Sequence, residues 1–422
     1  MKKLIATAAL LQFMAMAGLP GVGLATEVTD FQSNGFQAGG VEVFQTSPAV
    51  PAVGFHVGAI EIFPAIRVNV SHNDNIFEQE ANPKSSLVTV IDPAVQAVAA
   101  RGTNRYELNY HLSKGIYHNS SSDNYLDHFV GANVDLEPSS RLSSQLWANY
   151  NKTHDARGST FTGLPLTFGT PDKYHETSTG GKVSYGINAR IVFKGDYTVK
   201  RYENHRSVTV ERDLDTTGFG IALFVPIAPK TSAVAEIRYK HFNYIYSSPI
   251  INLDSNEMRY FAGLDWEATA KTTGTLRLGY LNKNFASFNQ IYAPKPSQIS
   301  WELGVLWEPM TYSSWKLLTT YAPAETDGIG SYRKVVNVNV AWKHGWSSYL
   351  KHNVTLGYGR ETYQGLVVPR KDRLITAGIS FDYAFRPWLT VGVGYNYANR
   401  NSNEPNSSFR QNVWALNLIG TL

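Results

Sequence analysis

The chain of 422 residues contains no cysteine. Disulfide staples, thiolate metal sites and thiol catalysis are excluded at once. Charge is sparse: Asp, Glu, Lys and Arg make up 17 % of the residues, and the formal net charge is +4. So small an excess over this length gives no basic footprint for nucleic acid. The apolar run Leu4 to Leu19 is short for a membrane-spanning helix, and no run of the ~18 apolar residues that one needs follows it. There is no Gly/Pro/Ser-rich linker after residue 58 to divide the chain into domains. Phosphate loops, nucleophile elbows and zinc-binding helix motifs are also missing. The sequence points to no enzyme and implies no cofactor and no metal.

Aromatic residues and glycine are abundant instead, with 24 Tyr, 20 Phe, 9 Trp and 34 Gly. The mean hydropathy is -0.24, because apolar and polar residues alternate and cancel. Trp301, Leu303, Val305 and Trp307 alternate with Glu302, Gly304 and Leu306. Val336, Val338, Val340 and Trp342 oppose Asn337 and Asn339. In Ala235–Lys240 the charges Glu236, Arg238 and Lys240 share one face, and in Tyr106–Leu112 Tyr and Leu oppose Glu, Asn and His. A period of two puts such sets on opposite sides of a sheet.

Sharp turns recur about every 40 residues: Arg101–Asn104, Glu137–Ser140, Asn188–Ala189, Pro226–Lys230, Ala268–Lys271, Glu308–Tyr312, Lys343–Trp346 and Arg386–Trp388. Longer polar stretches lie between them. Short turns on one side and long loops on the other are the layout of an outer-membrane β-barrel. We read an all-β, antiparallel transmembrane barrel over residues 59–422 with about 18 strands. They start near 60, 87, 105, 125, 141, 174, 190, 213, 232, 257, 273, 297, 313, 332, 348, 371, 389 and 408. Sixteen is the second choice, because Pro64 and Pro93 threaten the first strand pair. An even count puts both termini in the periplasm.

The start of the chain fits export. Lys2 and Lys3 precede the apolar run, and Gly23-Leu24-Ala25 offers a cleavage site, so 1–25 reads as a signal peptide. Residues 26–58 read as a periplasmic segment. The address is the outer membrane of a Gram-negative bacterium, with lipid as the first partner. Trp307, Tyr312, Trp315, Trp346 and Trp388 beside the short turns suit an interfacial girdle, as do Tyr117, Tyr125, Tyr174, Tyr202, Tyr244, Tyr246, Tyr321 and Tyr363 at the other strand ends. The final face Trp414, Leu416, Leu418, Gly420 and Leu422 resembles a barrel-assembly signal.

A barrel of about 18 strands is wide enough for an aqueous channel. The polar faces nominate its lining: Lys182, Lys194, Lys200, Arg238, Lys240 and Arg277, with Glu236, Asp265 and Glu302. Trp147 is nominated as a surface for sugar rings, because Ser143, Gln145 and Asn149 share its face. These charges either solvate one another and hold the barrel's shape, or set up a field that screens solutes. Replacing Arg238 and Lys240 together by Glu is expected to reverse part of any ion selectivity. Loop 157–173 is a candidate constriction or a plain surface loop. Ser71–Asn75 carries cation-binding groups but reads as a solvated loop. His111, His128, His154 and His175 fall near predicted outer strand ends without forming a Ser/His/Asp set.

The N-terminal third carries a recognisable pattern. It runs Pro64-Ala65-Ile66-Arg67-Val68, Asp74-Asn75-Ile76-Phe77, Ile91-Asp92-Pro93, Tyr106-Glu107-Leu108-Asn109-Tyr110, Tyr117, Asn124-Tyr125-Leu126-Asp127-His128, Tyr150 and Asp155-Ala156-Arg157-Gly158. This resembles the "putative beta-barrel porin 2" family of outer-membrane proteins, many of them encoded with exopolysaccharide biosynthesis genes. The resemblance implies a passive conduit for capsular or exopolysaccharide, with polysaccharide and periplasmic export proteins as partners. It brings no catalytic residues. The residues themselves equally allow a general or substrate-selective porin, or a non-conducting protein whose surface loops bind partners. Oligomeric state is left open.

Overall fold

The computed structural model describes residues 54–155, 170–203, 212–246, 252–269, 271–286, 297–325 and 330–421. The signal-peptide reading, most of 26–58 and most of loop 157–173 lie outside them. A short strand β1 (Phe55–Val57) forms a hairpin with the start of β2 (Ile60–Asn73). Then follow β3 (Ser86–Arg101), β4 (Asn104–Tyr117), β5 (Tyr125–Ser139), β6 (Leu142–His154), β7 (Lys173–Gly186) and β8 (Arg190–Tyr202). Next come β9 (Leu214–Ala228), β10 (Thr231–Tyr244), β11 (Ser255–Thr269), β12 (Thr272–Phe285), β13 (Ser297–Met310) and β14 (Ser313–Ala324). The last are β15 (Tyr332–Gly345), β16 (Leu350–Gln364), β17 (Lys371–Arg386), β18 (Leu389–Ser402) and β19 (Phe409–Thr421).

Each strand from β2 to β19 pairs antiparallel with its sequence neighbours, and β19 pairs with β2. The result is a closed barrel of 18 strands, each starting within two residues of its expected position. Closure leaves no strand edge, the only way a sheet can satisfy its backbone in lipid. Register shifts at Leu136/Ser139, Thr231/Ser232, Trp266/Thr269, Trp307/Met310 and Ala384/Arg386 all fall at the short-turn end. Such bulges are common at barrel rims. The prolines do not remove a strand pair. Pairing of β3 with β4 skips Asp92 and Pro93, where an N–H is missing, and resumes on either side.

The alternation sorts the two faces. Leu108, Ile237, Leu278, Ile299, Phe193 and Trp414 point outward and are exposed, while Glu107, Arg277, Ser300 and Asn417 point inward and are buried. A continuous apolar outer band of this kind is unsuited to water and suited to lipid. Trp307, Tyr312, Trp315, Trp346 and Trp388 are exposed beside the short turns, where a girdle belongs. At the other end the expectation needs correcting. Tyr174, Tyr202, Tyr244 and Tyr363 are buried rather than exposed to lipid. Tyr174 and Tyr202 stand opposite each other in register on the inward face, where Lys200 covers them.

The seam between the first and last barrel strands has its own fastening. Asn69 donates to Asn417 across it at 2.6 Å. Beyond β2, Asp74 accepts from the Asn412 backbone and side chain, and Asn75 donates to the carbonyls of Arg410 and Gln79. Gln411 donates to the Asn75 carbonyl. The segment Ser71–Asn75 is therefore the end of a strand and a seam clasp, not a solvated loop.

Glu78 in the same loop is buried 3.6 Å from Arg400. Burial outweighs the arginine and pushes this carboxyl up to about 8 from an ordinary 4.5. Between those values the folded chain holds a proton that the unfolded chain has released. The contribution of Glu78 is thus most favourable below about 4.5 and is lost as pH rises through about 8. Thermal unfolding should come at a lower temperature at about pH 9 than at about pH 6, and Glu78→Gln should shrink that gap. An identical gap in both proteins would dismiss this assignment.

Candidate functional site

The candidate site is the inner wall, built by the same alternation. All ten nominated residues fall on inward positions of the ladder. Lys182 stands opposite Gln145 and Lys194, and Trp147 opposite Gly180. Arg238 lies opposite Gly220 and Arg259. Lys240 lies opposite Gly218 and Glu257, and Lys200 opposite Glu176. Asp265 is opposite Thr275, and Arg277 is opposite Gly263 and Glu302.

The wall gathers them into two different settings. On β10–β13 the charges neutralise one another. Arg238 donates to Glu236 at 2.6 Å and to Glu302 at 2.8 Å. Arg259 donates to Glu257 at 2.6 Å and lies 3.8 Å from Glu302. Arg277 reaches Glu236 at 3.3 Å and Asp265 at 2.6 Å. Every one of these side chains is largely shielded from solvent. A network that satisfies its own members holds shape. This corrects the Arg238/Lys240 charge-reversal test. A Glu at 238 would face Glu236 and Glu302, so any change would report wall damage rather than permeation.

On β6–β9 the inward cations lie beside aromatic rings. The inward positions of β8 are Arg190, Val192, Lys194, Asp196, Thr198, Lys200 and Tyr202, since the intervening Phe193 and Tyr197 are exposed on the lipid side. Each inward cation of this strand packs on an aromatic ring. Arg190 lies 4.6 Å from the Phe224 centroid, Lys194 5.4 Å from Trp147, and Lys200 3.8 Å from Tyr174. Trp147 is not a freestanding platform. Its indole lies flat across Gly180, only 2.2 Å from where a Cβ would sit, and shares its surroundings with Lys194. Beside this strand, β9 presents Thr216, Gly218, Gly220 and Ala222. The Asp196 carboxylate leans over Gly218, the cross-strand partner of Lys240.

Several inward charges escaped the sequence reading. Arg190 sits one residue from a turn, where alternation is hard to read. Arg333–Glu361 at 2.8 Å and Arg370–Asp372 at 2.7 Å lie near the long-loop end, and Arg67 pairs with Asp92 near the seam. Strict alternation in β2, β15 and β17 could have found them. Half the ring away from β8, β17 carries Asp372 and Asp382 and no cation among its inward residues. The four histidines do not assemble. His111 lies 3.8 Å from Asp92 and His154 3.0 Å from Asp127, while His128 and His175 bond Tyr110 and Tyr150. Among the described residues no group of three or more His, Asp or Glu could hold a metal ion.

No curated protein matches the sequence. Solved structures of similar shape include the outer membrane protein OpdK from Pseudomonas aeruginosa, at 10% identity and TM-score 0.49, covering 86% of this chain and 99% of that one. The FrpB iron transporter from Neisseria meningitidis (F5-1 variant) has 10% identity and TM-score 0.48. That match covers 82% of this chain, which spans only 64% of the transporter's length. OccAB3 from Acinetobacter baumannii has 10% identity and TM-score 0.47, covering 87% of this chain and all of that one. The family model described as "Putative beta-barrel porin 2" matches residues 47–421, and a closed barrel with an apolar outside and a charged inside is what such a porin requires. The chain therefore belongs to that family of outer-membrane β-barrel porins.

Proposed function

We propose that the barrel is a passive diffusion channel of the outer membrane for small polar solutes. The observation that carries this reading is the contrast within the inner wall. One sector, β10–β13, carries a network of mutual ion pairs. The neighbouring sector, β6–β9, presents cations, a flat indole and small residues. Passage demands many weak contacts and no tight trap, which polar side chains spread over a wide wall supply.

Export of capsular or exopolysaccharide rests on the family resemblance, and no inward residue favours a polymer over a small solute. The non-conducting reading has no observation of its own. Purified protein added to a planar lipid bilayer should give stepwise, reproducible conductance. Liposomes carrying it should swell in iso-osmotic sugar. A folded protein that produces neither would refute the channel reading.

A further inference from the structure

We infer that the long-loop end of the β14–β15 pair folds inward as the constriction of this channel, and that Glu325 is the residue that sets its width. This rests on the channel reading above and adds what limits the size of the solutes that pass. The place where β14 leaves the wall is the first sign. β13 pairs with β12 as far as Ser297, and β14 pairs with β15 as far as Ala324. Yet β13 and β14 pair with each other only from Trp301 and Tyr321 towards the short turn. Where they diverge, the Ser300 hydroxyl donates to the Tyr321 carbonyl at 2.7 Å. Beyond that point Ala322, Pro323 and Ala324 are all buried. Successive strand residues point to opposite faces, so three buried in a row have both faces covered. Pro323, which cannot donate to a ladder, stands on this stretch that has lost its β13 partner.

The reach of Glu325 is the second sign. Its carboxylate accepts from the Tyr244 hydroxyl at 2.7 Å, and its other oxygen accepts from Lys283 Nζ. Tyr244 belongs to β10, four strand spacings from β14. At ~4.8 Å per spacing that is about 19 Å along the wall, more than one tyrosine and one glutamate side chain can span. The chain at Glu325 has therefore crossed in front of β13 and β12. Tyr332, at the start of β15, has moved with it, and its ring lies 6.0 Å from Phe285 of β12. Arg333 braces the base, donating to the Glu325 carbonyl at 3.1 Å and to Glu361 of β16 at 2.8 Å. The third sign is what lies underneath. Leu281 and Lys283 sit on the inward face of β12, opposite Arg259 and Glu257, and both are 0% exposed. Inward side chains of a wall this wide face water unless something lies over them. Lys283 is seated between the rings of Phe242 and Phe285, at 3.9 and 5.5 Å, with Glu325 as its counter-charge. Releasing Glu325 would strip a buried charge of that partner, which keeps the inward fold docked.

The test uses the full-length protein in planar bilayers and in liposomes that swell in glucose or in a trisaccharide. Glu325→Ala should raise single-channel conductance and increase the trisaccharide-to-glucose swelling ratio several-fold. Glu325→Gln keeps an acceptor for Tyr244 and Lys283 and should stay near wild type, while Tyr244→Phe should widen the channel less than Glu325→Ala. Heat-modifiable gel mobility reports which variants are folded. The chain has no cysteine, so Lys283→Cys with Glu325→Cys can be joined by a short bismaleimide without competing thiols. Before cross-linking this variant should conduct like Glu325→Ala, and after cross-linking like wild type. If Glu325→Ala does not fold, Tyr244→Phe and the cysteine pair carry the test. Folded variants with unchanged conductance and swelling ratio, or a cysteine pair that the reagent cannot join, overturn the constriction but leave the channel. A wild type that forms no channels overturns both.

Discussion

Gly263→Ala should cripple assembly of the barrel. Gly263 lies on the inward face of β11 opposite Arg277. A Cβ at this position would sit 1.9 Å from the Leu276 carbonyl oxygen and 2.9 Å from its carbon. The obstacle is backbone of the adjacent strand, so no side-chain rotation relieves it. Overpacking that flexible side chains can absorb costs about 1–3 kcal/mol, and a clash that parts two strands should exceed that range. It would also displace Arg277 from Asp265 and Glu236, leaving buried charge poorly compensated. We expect most of the refolded variant to lack the compact gel mobility of an unheated barrel, and the remainder to unfold at lower denaturant. Gly195→Ala is the control, since its nearest contact would be Phe219 at an ordinary 3.7 Å. Equal folding yields for Gly263→Ala and wild type would show that β11 and β12 have more slack than this geometry permits.

Asn75→Leu should open the seam. The Asn75 side chain donates to the carbonyls of Gln79 and Arg410 and accepts from the Gln79 N–H. It is 1% exposed, so water cannot replace these partners without entering the clasp. An unsatisfied buried polar group costs roughly 1–3 kcal/mol, and several are created together, so a loss on the order of 3 kcal/mol is expected. Asn75→Asp retains the acceptor and loses the donor, so it should fall between the two. The readout is the denaturant midpoint in lipid vesicles, with amide exchange following β2 and β19. If exchange quickened evenly around the barrel rather than at these two strands, the clasp would not be the weak point.

Much of this architecture was legible because β-barrels obey local rules. The eighteen strand starts were recoverable from period-two alternation and turn residues. Each strand must hide one face from lipid and expose the other to water, and must reverse within a few residues at one end. For the same reason the ten nominated residues could be placed on one face without knowing their neighbours. The tyrosines at the long-loop ends show where that logic stops. Tyr174 and Tyr202 look like girdle residues by position, yet a one-residue change of parity decides between lipid and lumen. Only the register opposite Lys200 settles it.

By itself the sequence determined the class of fold and the polarity of the two faces, because those depend on neighbours one or two positions away; it left 18 strands against 16, and closure of β19 on β2 decided for 18. Which charges meet depended on closure of the ring. Arg238 finds Glu302 across three strands and 64 residues. Asn69 finds Asn417 only because the last strand returns to the first. The Lys182–Lys194 juxtaposition follows from the exact register of β7 on β8. Electrostatic meaning depends on distances of a few ångströms, so the tertiary structure, not the alternation, separated the ion-paired sector on β10–β13 from the cations that pack on aromatic rings along β8.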